Sequence, residues 1–236
     1  MGVRLWLTCW RVAIVVALAG LVGASAAYAA IPEMVPTAQS PTRAQLPGMV
    51  LPDAVLGRAV GGLRLPGSFA FFATAEDAAA STFDPDDTGA DVKRLGRVAG
   101  YVRGRNARGA FSPPGEGLLA VGTSVSLFNG VSSAAAAIER NVTEGKRFSG
   151  KALAEGVLVS YTAGRIRSLG SGGVLEHFRV RSTGGTDRFL TGVLFRVGQL
   201  RGNAFVTRGD RTNTDRLALK LARQLQRRII TTLRRG

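Results

Sequence analysis

The feature that most constrains this chain is the spacing of the side chains near its end. Leu217, Leu221, Leu225, Ile229 and Leu233 recur every fourth residue, with Ala218 and Ala222 between them. At about 100° per residue these positions form one apolar stripe, so the spacing predicts a helix from about Thr212 to Arg235. Arg216, Lys220, Arg223, Arg227 and Arg234 fall on the opposite side. A helix of this kind lays its stripe on a sheet and turns its cations to water. Just upstream, 188–197 and 203–208 read as the strands of a β-hairpin turned by Gly198 and Gly202.

Earlier stretches supply the rest of a sheet. Residues 63–72 are apolar but interrupted by Pro66-Gly67, a short strand or a packed loop. Thr74 with Asp77 forms a capping box that opens a helix to about Thr82. After an acidic loop, 84–91, a helical turn at 91–95 leads into a strand, 97–103. The clearest strand is 117–128, where Leu119, Val121, Thr123, Val125 and Leu127 alternate with smaller or polar residues. Ser132 or Ser133 caps an alanine-rich helix from Ala134 to about Val142. Strands at 157–162 and 174–181 precede the closing hairpin.

Strands clustered between helices predict an α+β fold. Its sheet is mainly antiparallel, of about five to six strands, with the helices packed on one face. Arg103, Arg105, Arg179, Arg181 and Arg196 stand at alternate strand positions, so the open face of that sheet is expected to be basic.

The chain of 236 residues is 45% apolar and 20% charged, enough for one medium core or two small ones. Its first part has the form of an export signal. Arg4 and Arg11 precede an apolar run over 12–22, and small residues end in Ala27-Tyr28-Ala29, giving an expected signal peptide over 1–29. An uncleaved N-terminal anchor is the alternative. Cleavage would remove the lone cysteine, Cys9, and with it disulfides, thiolate catalysis and cysteine-based zinc sites. It would also remove two arginines and no acid, taking the formal charge from +15 to +13. Pro32, Pro36, Pro41, Pro47 and Pro52 suggest a tether over 30–52, and a single folded domain is expected over 53–236.

The runs GRVAGYVRG (96–104), VGTSVSLFNGVSSAAAAIE (121–139) and LFRVGQLRGNAFV (194–206), with LALKLARQLQRRI (217–229), resemble those of exported actinobacterial-type proteins. That uncharacterised group is loosely PsbP/Mog1-like or kinase-sensor-like. The resemblance implies an exported α+β domain over about 60–236 and carries no catalytic motif.

Motifs for chemistry are weak. His177 is the sole histidine, in a strand where Val174, Phe178 and Val180 share the buried side. It is expected to be a solvated side chain, since no nucleophile is spaced to use it. Asp84, Asp86 and Gly89 match part of an EF-hand loop, but Leu95 replaces the bidentate glutamate. The loop is expected to be a polar turn in which Asp87 or Thr88 caps the next helix, with calcium as the alternative. GKRFSGKA (145–152) has Ala152 where a phosphate loop needs a hydroxyl. Gly122 to Ser126 lacks the second glycine of a nucleophile elbow. Asn141-Val142-Thr143 is a formal glycosylation sequon.

Charge is the informative feature. The expectation is an exported, non-enzymatic binding or sensor-like domain without a cofactor. Arg216, Lys220, Arg223 and Arg227 form its candidate anion-binding surface, suited to an anionic envelope polymer or lipid. Nucleic acid is disfavoured by export and by the lack of a reading motif. The alternatives are a secreted hydrolase using two carboxylates, Glu176 with Asp187, and a protein-interaction module using the uncovered sheet face.

Overall fold

The computed structural model of the chain describes residues 40–60, 65–107, 117–153 and 156–235. The expected signal peptide lies outside them, as does the first part of the expected tether. A 3-10 turn, Arg43–Gln45, leads into α1 (Leu46–Met49) and α2 (Asp53–Ala59). Then follow β1 (Gly67–Ala73), α3 (Ala75–Ala79), α4 (Gly89–Arg94), β2 (Arg97–Asn106), β3 (Leu118–Phe128) and α5 (Val131–Phe148). The chain closes with β4 (Ala152–Leu153), β5 (Gly156–Ile166), β6 (Ser171–Ser182), β7 (Asp187–Val197), β8 (Leu200–Arg208) and α6 (Asp215–Leu233).

The strands form one open sheet in the order β1-β2-β3-β8-β7-β6-β5-β4. Every neighbouring pair is antiparallel. The sheet thus has eight strands, more than the five to six expected. The additions are edge elements: β4 is two residues long, and β1 starts at Gly67, directly after Pro66.

Helices cover both faces, which corrects the one-face expectation. On the first face Leu221, Ala222, Leu225 and Ile229 of α6 pack on Val121, Val125, Val193, Phe195, Ala204 and Val206. On the second face Ile138 of α5 meets Val174 and Leu194. Beside it Phe83, Tyr161 and Phe178 form an edge-to-face and stacked group with ring centroids 5.5–6.2 Å apart. The whole of β3 is therefore buried. Its small residues make this possible: a Cβ at Gly122 would overlap the Phe205 ring. Small side chains on a strand here mark close packing, where the sequence pattern suggested a solvated side.

The tether expectation also needs correction. Leu46, Met49, Val50 and Leu51 are buried in the same cluster as the α6 stripe. The Leu51 amide donates to Thr123 Oγ1 of β3 at 3.1 Å. Pro47 occupies the first turn of α1 and Pro52 the N-cap of α2, positions where a missing N–H costs a helix nothing. The prolines from 47 onward start helices instead of extending a linker.

Candidate functional site

The terminal helix presents the expected cations as a surface. Arg216, Lys220, Arg223 and Arg227 are all exposed, on the side of α6 away from the buried stripe. None of the four forms an ion pair among the described residues.

A second site lies where α6 begins. Across β5, β6 and β7 the residues Thr162, His177 and Thr191 stand in one row, paired in register. The face they share is not covered by a helix, because α6 starts beside it and runs toward β8 and β3. The result is a groove of about 410 Å³. Its charged and aromatic walls are His177, Arg179, Phe189, Arg211 and Asp215, with hydroxyls from Ser160, Thr162 and Thr212. His177 Nε2 lies 2.6 Å from Asp215 Oδ1, so the imidazole is held by the first turn of α6. Arg179 donates from Nε to Asp187 Oδ2 at 2.8 Å, and Arg181 from Nε to Oδ1 at 3.0 Å. These bonds hold the Asp187 carboxyl below its ordinary range, Arg181 contributing most. Arg211 has no carboxylate partner among the described residues. Its guanidinium carbon stands 5.8 Å from the Phe189 ring centroid, and so does that of Arg179.

Asp210 fixes the loop that carries Arg211. Its carboxylate accepts from Arg208 Nε and Nη2 at 2.7 Å each. It accepts also from the backbone amides of Gly117, at 2.7 Å, and Thr212, at 2.9 Å. The Arg208 hydrogen bonds, followed by those from Thr212 and Gly117, drive the Asp210 pKa far below its usual value.

The opposite face hides a polar cluster under α5. Glu176 is fully buried and accepts from Tyr161 Oη and, at 2.7 Å, from Asn141 Nδ2. Burial pushes its pKa up to about 7, opposed by those hydrogen bonds and by the charge of Arg201. Arg201 is itself buried, which lowers its pKa to about 9 and leaves it positive at neutral pH. Gly145 lets α5 approach this cluster, since a Cβ there would overlap the Tyr161 ring.

Several sequence candidates are used up by this packing. Glu176 of β6 and Asp187 of β7 lie on opposite faces of the sheet, one buried under α5 and the other tied to Arg179 and Arg181. The pair considered for hydrolysis is therefore not assembled. Asn141 of the sequon is buried, with its amide nitrogen bound to Glu176. Residues 145–148 form the end of α5, not a phosphate loop. In the acidic loop Thr88 caps α4, Asp87 pairs with Arg140, and Asp84 pairs with Arg147. No group of three or more metal-ligating side chains occurs among the described residues. The arginines expected on a single sheet face divide. Arg105 meets Asp53 of α2 on the α6 side, whereas Arg196 alternates with Phe195 and Val197 and so points to the α5 side.

Sequence spacing missed the groove. His177 and Asp215 are 38 residues apart, and only the antiparallel return of β7 and β8 brings the start of α6 back over β6. The available signal was a polar row, Thr162, His177 and Thr191, one residue from each of three consecutive strands.

Fold and groove together define an open antiparallel sheet with helices on both faces and one uncovered polar end. Among solved structures the chain is similar to the extracellular domain of PknH from Mycobacterium tuberculosis. The identity is 11%, the TM-score 0.50, and the match covers 84% of this chain and 99% of that one. The likeness is one of fold alone. No protein-family model and no curated protein matches the sequence.

Proposed function

We propose that the protein is an extracytoplasmic, non-enzymatic, sensor-like binding domain that engages a polyanionic envelope component through α6. The observation that carries this reading is the row Arg216, Lys220, Arg223 and Arg227, exposed and without ion pairs on one helix side. Four unneutralised cations on a rigid helix create a local positive potential, and each contributes about 1 kcal/mol near an anionic surface. The fold shared with an extracellular domain, and the export-like residues 1–29, support a location outside the membrane. Among the described residues no helix is long and apolar enough to cross a membrane.

Chromatography on heparin tests the reading. Retention should be strong at low salt, fall steeply as the Debye length shrinks toward about 3 Å at 1 M, and disappear in a folded variant with all four charges reversed. Salt-independent retention, or unchanged retention of that variant, contradicts it.

A further inference from the structure

The groove at the start of α6 is a second, smaller site, on a different surface from the α6 cation row. We propose that it binds a hexose carrying a single anionic group, a carboxylate or a phosphate. The size fits: small-ligand sites run from roughly 300 to 1,000 Å³, and this one is about 410 Å³. The charge also fits. Asp187 pairs with both Arg179 and Arg181, Asp215 lies against His177, and Arg211 has no carboxylate partner among the described residues, so the three arginines and two aspartates leave one positive charge for a ligand. A planar guanidinium with no carboxylate partner among the described residues is suited to bidentate contact with one carboxylate or phosphate.

The remaining walls suit a sugar. Phe189 supplies an apolar wall against which the C–H side of a pyranose can pack, and the guanidinium carbons of Arg179 and Arg211, each 5.8 Å from its ring centroid, place the anion-binding group next to that wall. Ser160, Thr162 and Thr212 offer hydroxyls, and Asn213 an amide, to the sugar's own hydroxyls. A purely apolar ligand would leave these groups unpaired, which costs affinity. A polyanion would bring extra charges against Asp187 and Asp215.

The test is an NMR titration of the protein with glucuronate, glucose 1-phosphate and glucose as separate probes. Shifts should concentrate at Ser160, Thr162, His177, Thr191 and the 211–213 loop. One or both anionic probes should bind at least about tenfold more tightly than glucose, because a charge-assisted hydrogen bond is lost with the neutral sugar. Response to glucuronate alone assigns the carboxylate as the recognised group; response to glucose 1-phosphate alone assigns the phosphate. Arg211→Ala should weaken the anionic probe at least about tenfold with an unchanged amide spectrum elsewhere. Reversal of Arg223 and Arg227, about 12 and 18 Å along α6 from Asp215, should leave groove affinity within about twofold, since exposed charges beyond a Debye length are screened. That variant separates a failure of this site from a failure of the α6 surface. Equal affinity for glucose and glucuronate, an Arg211→Ala variant with unchanged affinity, or no localised shifts with any probe overturns the proposal.

Discussion

His177 Nε2 and Asp215 Oδ1, 2.6 Å apart, join the middle of β6 to the first turn of α6 across 38 residues of sequence. The two side chains are 43% and 29% exposed. A half-exposed polar contact of this kind contributes at most about 1 kcal/mol, so it orients the groove more than it holds the fold. Asp215→Asn should therefore lower urea-unfolding stability by no more than about 1 kcal/mol. It also removes a negative charge from the groove, so the affinity for glucuronate should rise; a fall would place the carboxylate among the ligand's partners.

The stability of the molecule resides in the α6 stripe. Leu225 is fully buried between β3, β7 and β8 in a cluster that also takes in α1 and α2. Leu225→Ala should cost about 2–5 kcal/mol in urea unfolding. Leu46→Ala should cost a similar amount, although Leu46 lies in a proline-rich stretch, because it is equally buried in that cluster.

Glu176 makes stability fall as pH rises. Its pKa is raised from 4.5 in the unfolded chain to about 7 when folded, chiefly by burial. The folded protein therefore holds a proton that the unfolded chain releases between those values. Stability is greatest below the unfolded value and is lost as pH climbs through 7, by on the order of 3 kcal/mol. Glu144 follows the same direction, its pKa raised by burial to about 7 against the pull of Arg140. Glu176→Gln should flatten this limb in urea melts taken from pH 5 to 8. Tyr161→Phe removes a buried hydrogen bond to Glu176 and should cost about 1–3 kcal/mol.

Asp210 gives the opposite limb. Its pKa is depressed by Arg208, so its contribution is present above the unfolded carboxylate range near pH 4 and is lost as pH falls through the folded value. Asp210→Asn should reduce the acid sensitivity of unfolding and loosen the 211–213 loop. Faster amide exchange at Thr212, whose N–H Asp210 accepts, is the readout.

The terminal helix was legible because an amphipathic stripe has one period and one solution. The antiparallel sheet was legible for the same reason, in the alternation of β3 and the Gly198 turn of the closing hairpin. The number of strands was not, because β1 and β4 are edge elements whose pairing is set by their neighbours and not by their own sequence. The second helical layer was missed because Gly122, Ser124 and Ser126 read as a wet strand side, although they are small for the sake of close packing. Of the candidate sites, the α6 cations could be named from periodicity alone. The groove could not, since Arg211, Phe189 and His177 are united only by the return of the chain.

The measurement closest to the central claim is cosedimentation with vesicles. Anionic phosphatidylglycerol vesicles should bind the protein at low salt and release it at high salt, and neutral phosphatidylcholine vesicles should not bind it. The variant reversed at Arg216, Lys220, Arg223 and Arg227 should stay in the supernatant with both. Equal sedimentation of the wild type and that variant with anionic vesicles would contradict a polyanion-binding role for α6.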